Sequence, residues 1–115
     1  MITESDMDDV FQALAHGTRR SILDRLRVQP GLAVGELASG FDVSRIAIMQ
    51  HLRVLEQAGL VISEKQGRTR RLYLNAVPIQ QIHERWTDQY SNHFASRLTA
   101  IKQAVETAAK REGNT

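Results

Sequence analysis

Residues 34–74 place a short helix, a tight turn, a longer helix and a hairpin next to one another with almost no residues between them. The pattern predicts a short helix at residues 34–39, followed by a turn that begins at Gly40. Ser44 can cap the longer helix, and Gly59 can end it because glycine readily adopts the left-handed conformation that closes helices. This order constrains the fold more than any other feature of the chain.

Two short strands, at about residues 60–65 and 70–74, follow the helix pair, and the turn between them contains Gly67. A chain of 115 residues is expected to form one domain. The predicted fold class is therefore mainly α with a two-stranded β-wing, a winged helix-turn-helix with five helices. Its predicted parts are a helix-turn-helix at about residues 34–58, a wing at about 60–74 and a C-terminal helix at about 78–110.

Helical patterns also precede and follow this segment. Ser5 or Asp6 is the expected N-cap of a first helix, and Thr18 is the expected N-cap of a second. Pro78 fits the first turn of a long last helix. Apolar residues recur along that helix at steps of three or four, which predicts one continuous stripe that a monomer of this size has too little surface to cover. The stripe consists of Ile79, Ile82, Trp86, Tyr90, Phe94, Leu98, Ile101 and Val105.

The composition excludes several classes of protein. No apolar run approaches the roughly 18 residues of a membrane span, so no membrane partner is expected. The acidic N-terminal sequence lacks the apolar region of a secretory signal. The absence of Cys excludes disulfides and thiolate metal ligands and fits a cytoplasmic protein. The sequence also has no Gly-rich phosphate loop and no His-Glu-x-x-His motif, so an enzyme is not expected.

Positive charge is concentrated in residues 43–75. That segment contains six Lys or Arg residues and two acids, whereas the rest of the chain contains nine Lys or Arg residues and eleven acids. Segregated positive charge is typical of a protein with a polyanionic partner. A solvated surface of variable charge would give the same counts, so charge alone leaves both interpretations open.

The longer helix of the pair has one apolar side and one polar side at about 100° per residue. Ile48, Leu52 and Leu55 fall on the side that faces the core, and His51 lies at the edge of that side. The opposite side fits a DNA major groove, where Arg can bind guanine and Gln can bind adenine, and double-stranded DNA is the expected partner. The expected DNA contacts of this helix are Ser44, Arg45, Ile46, Met49, Gln50 and Arg53.

Basic residues surround the glycine turn of the hairpin. Such a loop can follow phosphates or enter the minor groove, whose negative potential attracts Arg. Strand alternation directs Leu72 and Leu74 inward and directs Arg71 and Tyr73 outward. A basic tip that is merely solvated is the alternative. The expected DNA contacts of the wing are Lys65, Arg68, Arg70 and Arg71.

Four segments resemble the ArsR/SmtB family of bacterial winged-helix transcription regulators: ALAHGTRRSILDRL, VGELASGFDVS, MQHLRVLEQAGLV and GRTRRLYLN. The start of the last helix, VPIQQIHERWTDQYSNHF, is similar to a subgroup often encoded beside START-like lipid-binding-fold proteins. The resemblance implies a homodimeric, sequence-specific repressor in the bacterial cytosol and nucleoid that reads a short imperfect palindrome. It also implies that the first and last helices of the two chains form the dimer interface. The expected interface residues are Phe11, Ile82, Trp86, Tyr90, Phe94, Leu98 and Ile101.

The chain lacks the metal ligands of the metal-sensing members of this family. Its third helix has no Cys, and His83 and His93 do not have the spacing of zinc ligands on the last helix. No metal and no cofactor is therefore expected, and the effector stays open. Met49 stands where the family often has Ser, which leaves the base contacts open. A winged-helix module that binds proteins instead of DNA is the alternative function, and the basic side of the longer helix argues against it.

Overall fold

The computed structural model describes residues 2–87 and 89–113, with the side chains of residues 89–94 and 112–113 excepted. These residues form two compact units, one that ends at Ile82 and one that begins at His83. The helices are α1 (Glu4–Leu14), α2 (Gly17–Val28), α3 (Val34–Ser39), α4 (Arg45–Gln57), α5 (Val77–Trp86) and α6 (Gln89–Gly113). The strands are β1 (Leu32–Ala33), β2 (Val61–Gln66) and β3 (Thr69–Leu74).

The core of the first unit receives apolar side chains from α1, α2, α3, α4 and the sheet. Ile48, Leu52 and Leu55 of α4 are all buried, which confirms the predicted inner side of that helix. Each side chain of this size contributes about 1.5–3 kcal/mol when it is fully buried. The other members of the core cluster are Val10, Ala13, Ile22, Leu23, Leu26, Leu37, Leu60, Val61 and Leu72.

Side-chain caps begin α1, α2 and α4, but two of the three predicted caps differ. Ser44 caps α4 as predicted, since its Oγ accepts a hydrogen bond from the Ala47 N–H at 3.1 Å. In α1 the cap is Thr3 instead of Ser5 or Asp6, and the Asp6 carboxylate accepts the Thr3 N–H in return. In α2 the cap is the His16 ring, whose Nδ1 accepts from the Thr18 N–H at 3.2 Å.

The sheet has three antiparallel strands in the order β1-β3-β2, so the predicted two-stranded wing was incomplete. β2 and β3 pair from Val61 opposite Leu74 to Gln66 opposite Thr69, as the hairpin pattern predicted. The short β1 pairs with the other edge of β3, where Leu32 lies opposite Leu72. Two residues are too few to give an alternating pattern, which explains why the sequence did not reveal this strand.

The single C-terminal helix predicted at residues 78–110 is wrong, because α5 ends at Trp86 and α6 begins at Gln89. The described residues therefore form six helices instead of the expected five. At Thr87 the side-chain Oγ1 donates a hydrogen bond to the His83 carbonyl. Hydroxyl groups that bond back to the preceding turn often bend helices, and the apolar periodicity of the sequence contains no sign of such a break.

The end of α4 is fixed to the end of β3 and the start of α5. Gly59 has a φ of 77° and donates to the Glu56 carbonyl, while the Leu60 N–H donates to the Leu55 carbonyl. These two bonds form a Schellman motif. Asn75 Nδ2 then donates to the Gly59 carbonyl at 2.8 Å, and Asn75 Oδ1 accepts from the Val77 N–H at 3.2 Å.

We expect Gly59→Ala to lower the free energy of unfolding by about 1–2 kcal/mol, since a side chain is strained at positive φ. A methyl group there would lie 3.7 Å from Pro78 Cγ, an ordinary contact, so the cost comes from the backbone alone. Gly35→Ala within α3 is the control, and we expect it to be neutral or stabilising by up to about 1 kcal/mol. Urea denaturation measures both, and equal losses in the two variants would contradict the argument.

Candidate nucleic-acid interface

The outer side of α4 carries the predicted base-reading residues. Arg45, Ile46, Met49, Gln50 and Arg53 are all exposed, and together they form what we call the recognition face. Ile46 is 71% exposed and Met49 is 49% exposed, whereas Ile48 between them is fully buried. The packing of the inner side therefore fixes which side chains α4 presents to solvent.

The polar members of the recognition face have no partner within the part of the chain that the structure describes. Neither Arg45, Gln50 nor Arg53 forms a hydrogen bond or an ion pair there. Arg45 lies across the start of α3, where its Nη1 is 3.8 Å from the position of a Cβ on Gly35. These donors are thus available to a ligand without the loss of an internal bond.

The wing, which we define as β2, β3 and the turn between them, presents three exposed cations. Gly67 has a φ of 63° at its tip, and the side chains of Lys65 and Arg68 form no hydrogen bond or ion pair with any described residue. Arg70 lies opposite Lys65 and its Nη1 donates to Ser63 Oγ at 3.0 Å. The side chains of Lys65, Arg68 and Arg70 are all exposed, and their contacts with DNA stay a prediction.

Arg71 differs from its neighbours on the wing, because its side chain forms contacts within the fold. Its side chain is half-buried, and its Nη1 donates to the Gly31 carbonyl at 3.3 Å and to Glu36 Oε1 at 3.4 Å. The reason is β1, which pairs Ala33 with Arg71 and so brings α3 beside this part of β3. Arg71 thus links the wing to the helix-turn-helix.

A cleft of about 310 Å³ lies between α4 and the wing. Arg53 from the recognition face and Arg70 from the wing both line it, so the fold brings together two cations that are 17 positions apart. Glu56 lines the same cleft and is the acid nearest to the recognition face along α4. The remaining lining residues are Val34, Met49, Leu52 and Leu72.

Behind the recognition face, Arg19 connects α4 to the first two helices. Its Nε donates to the Ala13 carbonyl at 2.8 Å, its Nη2 donates to the Gln12 carbonyl at 3.1 Å, and its Nη1 lies 3.3 Å from His51 Nδ1. The His16 ring lies against His51 with 4.6 Å between the ring centroids. His51 therefore has the structural position predicted for it, whereas sequence reasoning missed Arg19 because its contact with His51 spans 32 positions.

The environment of His51 lowers the pKa of its imidazole below the ordinary value of 6.5. Partial burial is the largest cause, and the positive charges of His16 and Arg19 add to it. Since the unfolded chain then binds a proton more readily than the folded chain, acid favours unfolding. The neutral His51 side chain is the form that fits beside the Arg19 guanidinium.

The residues predicted for a dimer interface fall into three groups. Phe11, Trp86, Leu98 and Ile101 are all about half exposed or more in the single chain. Ile82 is partly buried against the core of the first unit, and its place in a dimer interface stays a prediction. The side chains of Tyr90 and Phe94 lie outside the described residues. The Arg85 guanidinium lies 5.3 Å from the centre of the Trp86 ring.

Within the described side chains, no group of three His, Cys, Asp or Glu residues could hold a metal ion. His93, which the sequence analysis considered as a zinc ligand, lies outside those side chains. None of the helices in residues 2–87 and 89–113 combines the length and the apolar character that a membrane span requires.

A helix-turn-helix domain family matches residues 14–64 of the chain. The chain is 53% identical over 73 residues to the HTH-type transcriptional regulator Rv2034 of Mycobacterium tuberculosis, a match that covers 64% of this chain and 66% of that protein. It is 34% identical over 74 residues to the transcriptional repressor SdpR of Bacillus subtilis, covering 64% of this chain and 81% of the relative. The ArsR-like transcriptional regulator from Rhodococcus sp. RHA1 superposes with a TM-score of 0.67 at 35% identity, covering 90% of this chain and 93% of that one.

The fold and the exposed basic face define a winged helix-turn-helix DNA-binding protein. The chain belongs to the ArsR/SmtB family. It is accordingly a DNA-binding transcriptional regulator and not an enzyme.

We expect the stability of the folded chain to fall as the pH decreases below 6.5, because His51 must be protonated beside Arg19. The contribution is complete above pH 6.5, the ordinary value, and is lost as the pH falls toward the lowered pKa of the folded state. Urea denaturation over a pH series measures it.

The His51→Gln variant should show a smaller pH dependence of its free energy of unfolding than the parent chain. Arg20→Gln is the matched control, since Arg20 is exposed and bonds only the Leu14 carbonyl through its Nη1. Identical pH profiles for His51→Gln and the parent chain would rule out His51 as the source.

Proposed function

We propose that the chain acts as a homodimeric repressor that binds a short imperfect palindrome in double-stranded DNA through α4 and the wing. The observation that carries this proposal is the recognition face, where the side chains of exposed cations and an amide have no partner among the described residues and no acid lies among them. A protein-binding surface would be expected to be richer in acids or in continuous apolar area. A face of this charge fits a polyanion.

Residues in the first two turns of α4 are proposed to read the DNA bases. Arg45 suits the O6 and N7 atoms of guanine, and Gln50 suits the N6 and N7 atoms of adenine. Ser44 Oγ already accepts the Ala47 N–H, so its own hydroxyl hydrogen is available to a phosphate oxygen. The free N–H groups at this helix end favour a phosphate at the same place.

Phosphate contacts are proposed for Arg53 and for three residues of the wing. Arg53 and Arg70 line one cleft, so both lie where a backbone strand can follow the edge of a groove. Lys65 and Arg68 extend this basic surface toward the wing tip. Arg71 is left out of the proposed contacts, because a phosphate would have to compete with Glu36 and the Gly31 carbonyl for its guanidinium.

Dimerisation is proposed to use the apolar residues of the last two helices together with Phe11. Leu98, Ile101 and Val105 are spaced by three and four positions on α6, so they share one side of that helix, and all are more than half exposed. Such a stripe favours a second copy of this chain as its cover. Trp86, Tyr90 and Phe94 are the proposed aromatic anchors of the interface.

Repression is proposed from the name of one relative, the transcriptional repressor SdpR. A regulator that binds DNA in this way acts in the cytoplasm, at the nucleoid. The missing Cys ligands and the absence of a three-ligand cluster among the described side chains favour a signal other than a metal for the release of DNA.

Changing Arg68 and Arg70 together to Ala should weaken DNA binding at all sequences and reduce its salt dependence. Each lost phosphate contact changes the slope of log K against log salt by about 0.9, so the double variant should lose about 1.8. Fluorescence anisotropy with duplex DNA over a salt series measures the slope. As a control, Lys102→Ala together with Lys110→Ala removes the same charge from α6 and should leave the slope unchanged. An unchanged slope in the wing variant would exclude phosphate contacts there.

Sedimentation should give the parent chain twice its single-chain mass of 13.0 kDa. A footprint on bound DNA should show half-site contacts about 34 Å apart. Leu98→Glu should shift the protein toward the monomer because it buries an unpaired charge in the proposed interface. Gln103→Glu is the control, since it adds the same charge on the other side of α6 at about 100° per residue. A parent chain that sediments as a monomer at micromolar concentration would overturn the dimer.

A further inference from the structure

Ile46 is the most exposed large apolar side chain that the structure describes, at 71%. It occupies the second position of α4, in the helix turn whose residues approach the bases in proteins of this fold. Ile46 does not line the cleft beside the wing, in contrast to Met49, which does. It therefore projects from the recognition face with most of its surface uncovered.

The surroundings of Ile46 indicate what covers it when a ligand binds. Arg45 is adjacent, while Gln50 and Arg53 lie one and two turns further along the same side of α4. An apolar side chain ringed by cations and an amide suits a polyanion that carries a small apolar group. The C5-methyl group of thymine is the apolar group that duplex DNA displays in its major groove.

The shape of the side chain also suits this role. Isoleucine is branched at Cβ, and in a helix it keeps essentially one χ1 rotamer, so its methyl groups are held at a fixed place. A rigid apolar group that loses little freedom on binding can distinguish the presence of one methyl group. A flexible side chain such as that of Met49 would adapt to a base with the methyl group and to a base without it.

We propose that Ile46 is a specificity-determining residue that reads a pyrimidine C5-methyl group, so that each preferred half-site carries a thymine opposite α4. The inference rests on the proposed function, since it requires α4 to enter the major groove. Arg45 and Gln50 then select neighbouring bases by hydrogen bonds, while Ile46 selects by contact with the methyl group. The position of that thymine is set by the second residue of α4.

The test uses duplexes selected by the full-length protein from random-sequence DNA. Each thymine is replaced by uracil, which removes the methyl group and keeps every hydrogen-bonding atom. At one position in each half-site, uracil should weaken binding by about three- to tenfold. Placing cytosine and then 5-methylcytosine there tests the same methyl group on a second base: binding that improves on methylation of cytosine supports recognition of the methyl, and binding that does not improve counts against it.

Ile46→Ser should remove the difference between thymine and uracil, whereas Val28→Ser should keep it. Val28 is 69% exposed on α2 and provides a β-branched control outside the recognition face. A selected duplex without any uracil-sensitive position, or an unchanged thymine preference in a folded Ile46→Ser protein, would overturn this inference and leave the proposed function standing. Failure to select any duplex would overturn the proposed function as well.

Discussion

The burial of one side of α4 is the constraint on which the remaining structure depends. Ile48, Leu52 and Leu55 insert into a core built by the first two helices and the sheet, and they hold the helix at one rotation about its axis. A rotation by one residue would move about 100° of the helix surface and bury Arg45 or Arg53 instead. The apolar side therefore determines the polar side, and the DNA-binding surface is a consequence of core packing.

Around this helix the structure places bonds that join distant parts of the sequence. Arg19 reaches from α2 to His51 on α4 and to two carbonyl groups near the end of α1. Arg71 reaches from β3 to the loop before β1 and to Glu36 on α3. Two of the arginines in this basic protein thus hold elements together, and the surface charge available to DNA is smaller than the composition indicates.

The sequence predicted the parts that local rules govern. The helix at residues 34–39, the Ser44 cap, the ending at Gly59 and the inner side of α4 follow from periodicity and from caps, and all are present. The misses have other causes. β1 is too short to show a pattern, the contact between Arg19 and His51 spans 32 positions, and the Arg71 contacts span 35 and 40. The α2 cap is an imidazole nitrogen of His16, and histidine is not among the residue types favoured at helix N-caps.

Asn75 gives the recognition helix and α5 a shared end point. Its side chain donates to the carbonyl that follows α4 and accepts from the first N–H of α5, so neither helix terminus can shift without changing the same amide. Thermodynamic reciprocity then applies to the pair. A ligand that displaces the start of α5 would break the bond between Asn75 and Val77, and if that change alters the affinity of α4 for DNA, then DNA alters the affinity for that ligand by the same factor.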